Sequence, residues 1–268
     1  MSSGLLNQDQ IESFAGDGFL ILREFFTSNV VDELRQATVE LLTATPRGTP
    51  GVGFDPWSNK PGDALNPHRV TWYNDIFLKH RRLDAHMHDE RLATVFCELY
   101  DSDIDAFQSA TVVKPENSNF DFQGWHQDAP DYIPLSNFKL SSALTYLCDM
   151  GPDTGGTSLV PSSHRERLLD RKYIEVGGWP VRKRILVDFE AFEARVVTPQ
   201  FHPGDVLIFH PCLMHRANSN YTNESKIGLI NAYRAVDCID YTQRSNFKAD
   251  NIPITRDRKL VEPNACAN

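Results

Sequence analysis

The sequence lacks the features of several protein classes. None of its five cysteines form a Cys-x-x-Cys pair, so neither a thiolate zinc site nor a disulfide framework is indicated. Basic residues are few: 27 Lys and Arg face 36 Asp and Glu, which argues against a nucleic-acid partner. No apolar run approaches the roughly 18 residues that cross a bilayer, and no signal peptide is evident. We therefore expect a cytoplasmic protein without a membrane partner.

A nucleotide-binding loop is also missing, because no glycine-rich turn joins a predicted strand to a predicted helix. There is no internal repeat and no sharp break in composition. With 268 residues, 41% of them hydrophobic, the chain is long enough for a continuous core, and we expect a single domain spanning 1–268. The oligomeric state stays open, with a homodimer as one option.

The N-terminal part alternates between helix and strand patterns. Helices are predicted within about 7–43, the first capped by Asn7 or Asp9 and the second by Thr27 or Ser28. Between them, Phe19–Leu22 is short and apolar like a buried strand. The Gly- and Pro-rich stretch 45–62 is interpreted as an ordered loop.

Short strands dominate the rest of the chain. Turn signals separate them regularly, which favours a mainly β fold with flanking helices and a sandwich or barrel core at about 105–236. The predicted strands are 107–113, 141–148, 157–161, 195–198, 205–209 and 227–233.

Two histidines and one aspartate carry the strongest chemical signal. His126 and Asp128 are two residues apart, so on a strand both side chains would share one face. His215 follows the strand-like segment 204–209. Two imidazoles and one carboxylate form the facial triad of non-haem Fe(II) enzymes. A His-x-Asp pair alone is weak, because the chain has nine histidines, and a hydrogen-bonded surface pair is the alternative.

Four ordered segments resemble the phytanoyl-CoA dioxygenase family of Fe(II)/2-oxoglutarate oxygenases. The resemblance covers most of the chain and is much more specific than any one segment. The matching segments are 6–21, Trp125-His-Gln-Asp128 with Tyr132 and Pro134, Gly155-Gly-Thr-Ser-Leu-Val-Pro-Ser-Ser-His-Arg165, and Gly204-Asp-Val-Leu-Ile-Phe-His-Pro-Cys-Leu-Met-His215 with Asn218 and Ser225.

The resemblance implies a double-stranded β-helix, a cupin-like jelly-roll barrel with helices packed outside. It also implies that His126, Asp128 and His215 bind the metal. His210 competes with His215, but the family pattern places the ligand second, after apolar residues. His164 matches a family position that does not bind metal.

The implied cofactors are Fe(II), with 2-oxoglutarate and O2 as co-substrates. The family usually anchors the distal carboxylate of 2-oxoglutarate with an arginine eleven residues after the distal histidine, and Lys226 stands there in this chain. Arg234 is the competing anchor. Gln123 and Thr157 match positions that contact the co-substrate, although either could instead cap a turn.

A small-molecule substrate is implied, with Tyr73 and Tyr132 as candidate contacts, although such aromatics also occur in cores. Asp128 favours hydroxylation of an unactivated C–H bond, in a biosynthetic pathway, over halogenation. Desaturation, epoxidation and rearrangement remain alternatives. So do a non-catalytic module that binds metal or 2-oxoglutarate, and a barrel that uses another metal for hydrolysis or isomerisation.

Overall fold

A computed structural model describes residues 4–56, 58–118, 124–131, 137–175, 182–238 and 252–261. Its α-helices are α1 (Gln8–Asp17), α2 (Ser28–Thr43), α3 (Arg81–Met87) and α4 (Glu90–Tyr100). In the described part of the chain, no helix is both long and apolar enough to cross a membrane.

The first helix begins at Asn7, one of its two predicted caps, and ends at a glycine. The Asn7 side chain accepts a hydrogen bond from the Gln10 backbone, and the Gln10 side chain bonds back to the Asn7 backbone. Gly18 ends the helix with a φ of 82°, which favours glycine. A Cβ at Gly18 would also lie 2.4 Å from Nδ1 of His164, so a side chain is excluded there. Thr27 precedes α2 without a side-chain capping bond.

Eight strands form one large antiparallel sheet. Its path runs β1-β9-β5-β11-β4-β3-β2, and β12 also pairs with β4. The strands are β1 (Phe19–Leu22), β2 (Val52–Phe54), β3 (Val70–Asn74), β4 (Ile104–Lys114), β5 (Leu140–Tyr146), β9 (Val206–Phe209), β11 (Lys226–Ala235) and β12 (Ile252–Pro253).

A small antiparallel sheet faces the large one and carries part of the chemistry. It pairs β6 (Thr157–Leu159) with β10 (His215–Ala217). Isolated bridges from His126 to His215 and from Leu159 to Val197 extend it on either side. A large and a small sheet closed around one interior make the double-stranded β-helix expected from the sequence.

Two hairpins lie outside these sheets. One pairs β7 (Arg171–Glu175) with β8 (Arg182–Leu186), and the other pairs β13 (Thr255–Arg256) with β14 (Lys259–Leu260).

The large sheet separates two apolar cores. One face packs against the helices, and its core includes Leu229, Ile208 and Phe96. The opposite face looks into the barrel, where Ile230 and Leu207 pack with residues of the small sheet. Because side chains alternate along a strand, neighbours such as Leu229 and Ile230 belong to different cores.

One local expectation is wrong, and two helices were not predicted. The predicted strand at 195–198 is the end of a 3-10 helix, Phe189–Arg195, followed by a single bridge at Val197. Phe189 of this helix is buried, and Phe192 and Val196 are partly buried in the same cluster as Val160 and Met214, which adjoin the small sheet in sequence. Helices α3 and α4 are not predicted from the sequence, and they supply Leu83, Phe96 and Tyr100 to the helix-side core.

Candidate metal and co-substrate site

Main-chain hydrogen bonds hold the two predicted histidine ligands next to each other. The amide of His126 donates to the carbonyl of His215 over 3.0 Å, and the reverse bond is 2.9 Å. The imidazole centroids are therefore only 4.2 Å apart, and both rings are buried. The antiparallel pairing thus joins two residues that are far apart in sequence on one face of the small sheet.

Each imidazole is oriented by its own turn. Nδ1 of His126 lies 2.9 Å from the carbonyl oxygen of Gly124, and Nδ1 of His215 lies 2.9 Å from that of Leu213. A carbonyl oxygen only accepts, so each Nδ1 carries the proton and each Nε2 keeps its lone pair. Both rings thus present the nitrogen that a metal needs.

The Asp128 carboxylate completes this group. Its Oδ1 lies 3.5 Å from Nε2 of His126 and 3.9 Å from Nε2 of His215. Ligand atoms bound at about 2.1 Å and at right angles to one ion lie about 3 Å apart, so a small contraction would suffice. These are the only three grouped metal-ligating side chains within the described residues, and all their ligand atoms lie within 4.8 Å of one another. The donor set fits a divalent first-row metal.

Gln127 fixes the loop that carries Asp128. Its Nε2 donates to the Cys212 carbonyl over 2.8 Å, and its Oε1 accepts from the Leu169 amide over 2.9 Å. The Ala129 amide also donates to the Pro211 carbonyl. Gln127 stands within the matched motif, but its role could not be read from the sequence, because its partners come from two distant loops.

A thiol lies near Asp128 but is not part of the metal-ligating group. Burial raises the pKa of Cys212 to about 11, and the nearby negative charge of Asp128 adds to the effect.

His210 lies away from the metal-ligating group. Its ring is 5.2 Å from that of His164 and 6.2 Å from that of Phe138, centroid to centroid. Burial and the neighbouring His164 lower the pKa of His210 to about 4, and its Nδ1 accepts a hydrogen bond from the Cys212 amide. The sequence preference for His215 over His210 therefore agrees with the geometry.

Thr157 faces the barrel interior. The Tyr146 hydroxyl donates to Thr157 Oγ1 over 2.8 Å, and the Tyr146 ring stacks on Phe201. Burial raises the pKa of Tyr146 well above its usual range, so the phenol keeps its proton and remains a donor. Because Thr157 Oγ1 accepts this bond, its own proton can be donated into the barrel.

Two lysines stand side by side on the barrel face. Lys226 pairs directly with Lys114 across β11 and β4, and Gly228 and Ile230 follow Lys226 on the same face. Lys226 Nζ lies 3.8 Å from Glu224 Oε2, and Lys114 Nζ lies 3.4 Å from the Ala217 carbonyl. Lys114 carries no signal in the sequence, because only the strand register places it opposite Lys226.

Arg234 lies at the other end of β11. Eight residues separate it from Lys226 along the strand, which corresponds to about 26 Å. Its Nη1 donates to the Cys238 carbonyl, and its Nη2 lies 4.0 Å from Asp105 Oδ2. Arg234 and Lys226 therefore cannot contact the same small ligand.

Of the two candidate substrate contacts, the structure describes Tyr73 but not Tyr132. Tyr73 packs with the helix-side core, and its role as a substrate contact stays a prediction. Its neighbour Trp72 faces the barrel core and donates from Nε1 to Asn74 Oδ1. Successive side chains of a strand point to opposite faces, so the neighbours Trp72 and Tyr73 on β3 pack in different cores. Gln123 and Tyr132 lie outside the described residues.

Comparisons with known proteins agree with this geometry. The family model "Phytanoyl-CoA dioxygenase (PhyH)" matches residues 14–228. An ectoine dioxygenase of Bordetella bronchiseptica is 25% identical over 250 residues, covering 87% of this chain and 76% of the relative.

Solved structures show the same fold. EctD from S. alaskensis, crystallised with 2-oxoglutarate and 5-hydroxyectoine, aligns with a TM-score of 0.70 at 21% identity, over 88% of this chain and 78% of EctD. The 2-oxoglutarate-dependent carbocyclase SnoK of nogalamycin biosynthesis aligns with a TM-score of 0.65 at 17% identity, over 95% of each chain.

The chain belongs to the phytanoyl-CoA dioxygenase family, because the family model matches most of its length. It is a 2-oxoglutarate-dependent non-haem iron dioxygenase that uses Fe(II), 2-oxoglutarate and O2.

Proposed function

We propose that this member of the phytanoyl-CoA dioxygenase family hydroxylates an unactivated C–H bond of a small molecule in a biosynthetic pathway. The observation that carries the proposal is the convergence of His126, Asp128 and His215, whose ligand atoms lie within 4.8 Å of one another. A three-ligand site on one face leaves open positions for a chelating co-substrate and for O2.

In this proposal, the three side chains hold Fe(II). With ferrous iron and 2-oxoglutarate bound, O2 would supply the oxidising power for C–H cleavage, and 2-oxoglutarate would give up two electrons on conversion to succinate and CO2. The chain contributes orientation, because the Nδ1 bonds of both histidines to backbone carbonyls prevent ring rotation. The Asp128 carboxylate would fill the metal-coordination position that a halide ion takes in halogenases. Its presence therefore favours hydroxylation over halogenation.

Lys226 and Lys114 together anchor the distal carboxylate of 2-oxoglutarate. Like charges directly opposite each other across a sheet are destabilising, and a bound carboxylate between them would offset this repulsion. A lysine offers a compact charge rather than a planar fork, so two ammonium groups could replace one guanidinium. Thr157 donates a further hydrogen bond from the facing sheet, and Gln123 keeps its proposed co-substrate role.

The substrate would enter the half of the barrel beyond the metal. Gln108 and Ser142 pair in register with the small residue Ala232 from either side, and both are buried. An amide and a hydroxyl could position a polar group of the substrate. Trp72 joins Tyr73 and Tyr132 as a candidate contact in this proposal. The curated relatives act on ectoine, a small molecule, which supports this size class.

An anaerobic titration tests the proposal. Wild-type protein with Fe(II) and 2-oxoglutarate should develop a visible metal-to-ligand charge-transfer band, whereas Zn(II) should give none because it has no redox chemistry. On exposure to O2 with a metabolite panel, succinate should form together with a product that has gained one oxygen atom.

Other outcomes distinguish the alternatives. A product that has lost two hydrogens, or an isomer of the substrate, would replace hydroxylation by desaturation or rearrangement. Absence of both the band and succinate would contradict the proposal and favour a binding module or a non-redox metal site.

A further inference from the structure

A buried arginine outside the metal-ligating group pairs with an acid that lies two residues after Lys114. Arg69 is 5% exposed, and its Nε and Nη2 donate to Asp55 Oδ2 over 2.9 and 2.7 Å. Its Nη1 donates to Glu116 Oε1, and its Nη2 donates to the Glu116 carbonyl over 3.2 Å. One guanidinium thus pairs with two carboxylates.

This cluster reaches the ends of both lysine-bearing strands. Glu116 follows Lys114 by two residues, and its Oε2 accepts a 3.4 Å bond from the Ser225 hydroxyl. Ser225 directly precedes Lys226, and its amide donates to Asp63 Oδ2. Glu116 therefore connects β4 and β11 close to Lys114 and Lys226, the residues that carry the two ammonium groups.

The backbone at Arg69 is held in an unfavourable conformation. Its φ is 54°, a left-handed value that a residue with a long side chain rarely adopts. The Arg69 amide donates a hydrogen bond to the Asn66 carbonyl, and the Arg69 carbonyl accepts one from the Asp55 amide. The surrounding contacts thus fix the guanidinium in place at some conformational cost.

The acidic residues around the ends of β4 and β11 explain why a cation is needed at Arg69. Asp55, Asp63, Glu116 and Glu224 all lie around the ends of these two strands, whereas an incoming 2-oxoglutarate is itself a dianion. Without Arg69, the carboxylates of Asp55 and Glu116 would attract the lysine ammonium groups and repel the co-substrate.

We infer that Arg69 is a positioning residue that keeps Lys114 and Lys226 available for the distal carboxylate of 2-oxoglutarate, by neutralising Glu116 and Asp55. The inference rests on the proposed function, because it needs the lysine pair to be the anchor. Arg69 itself does not touch the co-substrate.

The test compares two oxo acids in the anaerobic Fe(II) titration. Arg69→Met should weaken 2-oxoglutarate binding about tenfold, within the range of ordinary site-to-site couplings. It should change the affinity for 2-oxobutyrate, which lacks the distal carboxylate, by less than about twofold. Arg256→Met, which removes a pair with Asp105 elsewhere on β4, is the matched control and should change neither affinity.

A second variant removes the acid instead of the buried cation. Glu116→Gln should tighten 2-oxoglutarate binding about threefold, because Arg69 then carries excess positive charge, and it should restore most of the affinity in the Arg69→Met background. Weaker binding in Glu116→Gln, or equal losses for both oxo acids in Arg69→Met, would overturn the inference. If the Arg69→Met variant does not fold, the Glu116→Gln variant still tests the inference: tighter 2-oxoglutarate binding supports it, and weaker binding contradicts it. Absence of the band in the wild type would instead refute the proposed function.

Discussion

The two faces of the large sheet are equally buried, yet they carry different residues. The helix-packed face is dominated by apolar side chains such as Leu229 and Ile208. The barrel face carries apolar side chains too, but also Lys114 and Gln108, which are almost wholly buried. Burying a lysine or an amide costs free energy that a hydrogen-bond partner only offsets, so we expect these residues on the barrel face to serve chemistry. Stability should therefore depend on one face and chemistry on the other.

The strongest test of this division is the loss of the metal-ligating carboxylate. Asp128→Ala should lower the affinity for Fe(II) by more than about 100-fold, since even outer-shell partners of metal ligands contribute about 10- to 100-fold. Calorimetric titration under anaerobic conditions measures this, and thermal unfolding without metal should change little. Unaltered iron binding would remove Asp128 from the ligand set.

The converse test uses the helix-packed face. Leu229→Ala should lower the free energy of unfolding by about 2–5 kcal/mol, because Leu229 is fully buried and a cavity would remain. Denaturant titration measures the loss. Under native conditions, the variant should bind 2-oxoglutarate with unchanged affinity, as measured by the charge-transfer band. A large drop in that affinity would contradict the assignment of stability and chemistry to different faces.

The anchor prediction compares cations on one face. Lys226→Met and Lys114→Met should each weaken 2-oxoglutarate binding about 10- to 100-fold, the value of a charged hydrogen bond. Lys139→Met removes only an exposed pair with Asp237 and is the control. Arg234→Met should leave the affinity unchanged, since Arg234 lies at the far end of β11. If Arg234→Met alone weakened binding, the anchor would have to be reassigned.

One polar group on the helix-packed face should give stability its pH dependence. Burial, with a smaller contribution from Arg82, lowers the pKa of His86 to about 3. The neutral ring contacts Thr145 Oγ1 and accepts from Asn231 Nδ2.

Because the folded pKa lies below the unfolded value of about 6.5, this stability is present above pH 6.5 and is lost as the pH falls towards 3. We expect a loss of about 2 kcal/mol between pH 7 and pH 5. His86→Gln should flatten that part of the profile, and an unchanged slope in this variant would assign the effect to other groups.

Local patterns predicted the ends of elements better than the faces of strands. Asn7 and Gly18 mark α1 because capping depends on residues that are close in sequence. By contrast, β5 is buried at all seven of its positions, so its sequence shows no alternation that reveals which side faces the barrel.

Residues that meet only through the fold were beyond the sequence. The metal-ligating group could be predicted because its motif resembles a known family. Lys114 and Arg69 gave no such signal, because their significance depends on the register of β4 with β11 and on a loop that packs against both.

The Gln127 amide has a consequence for movement within the molecule. It links the segment leading into the β7–β8 hairpin, through Leu169, to the loop before the distal histidine, through Cys212. Neither segment can shift away from the Asp128 loop without breaking a buried bond to this single side chain. Displacement of that hairpin would therefore be transmitted mechanically to the ligand geometry, even though no hairpin residue is a ligand.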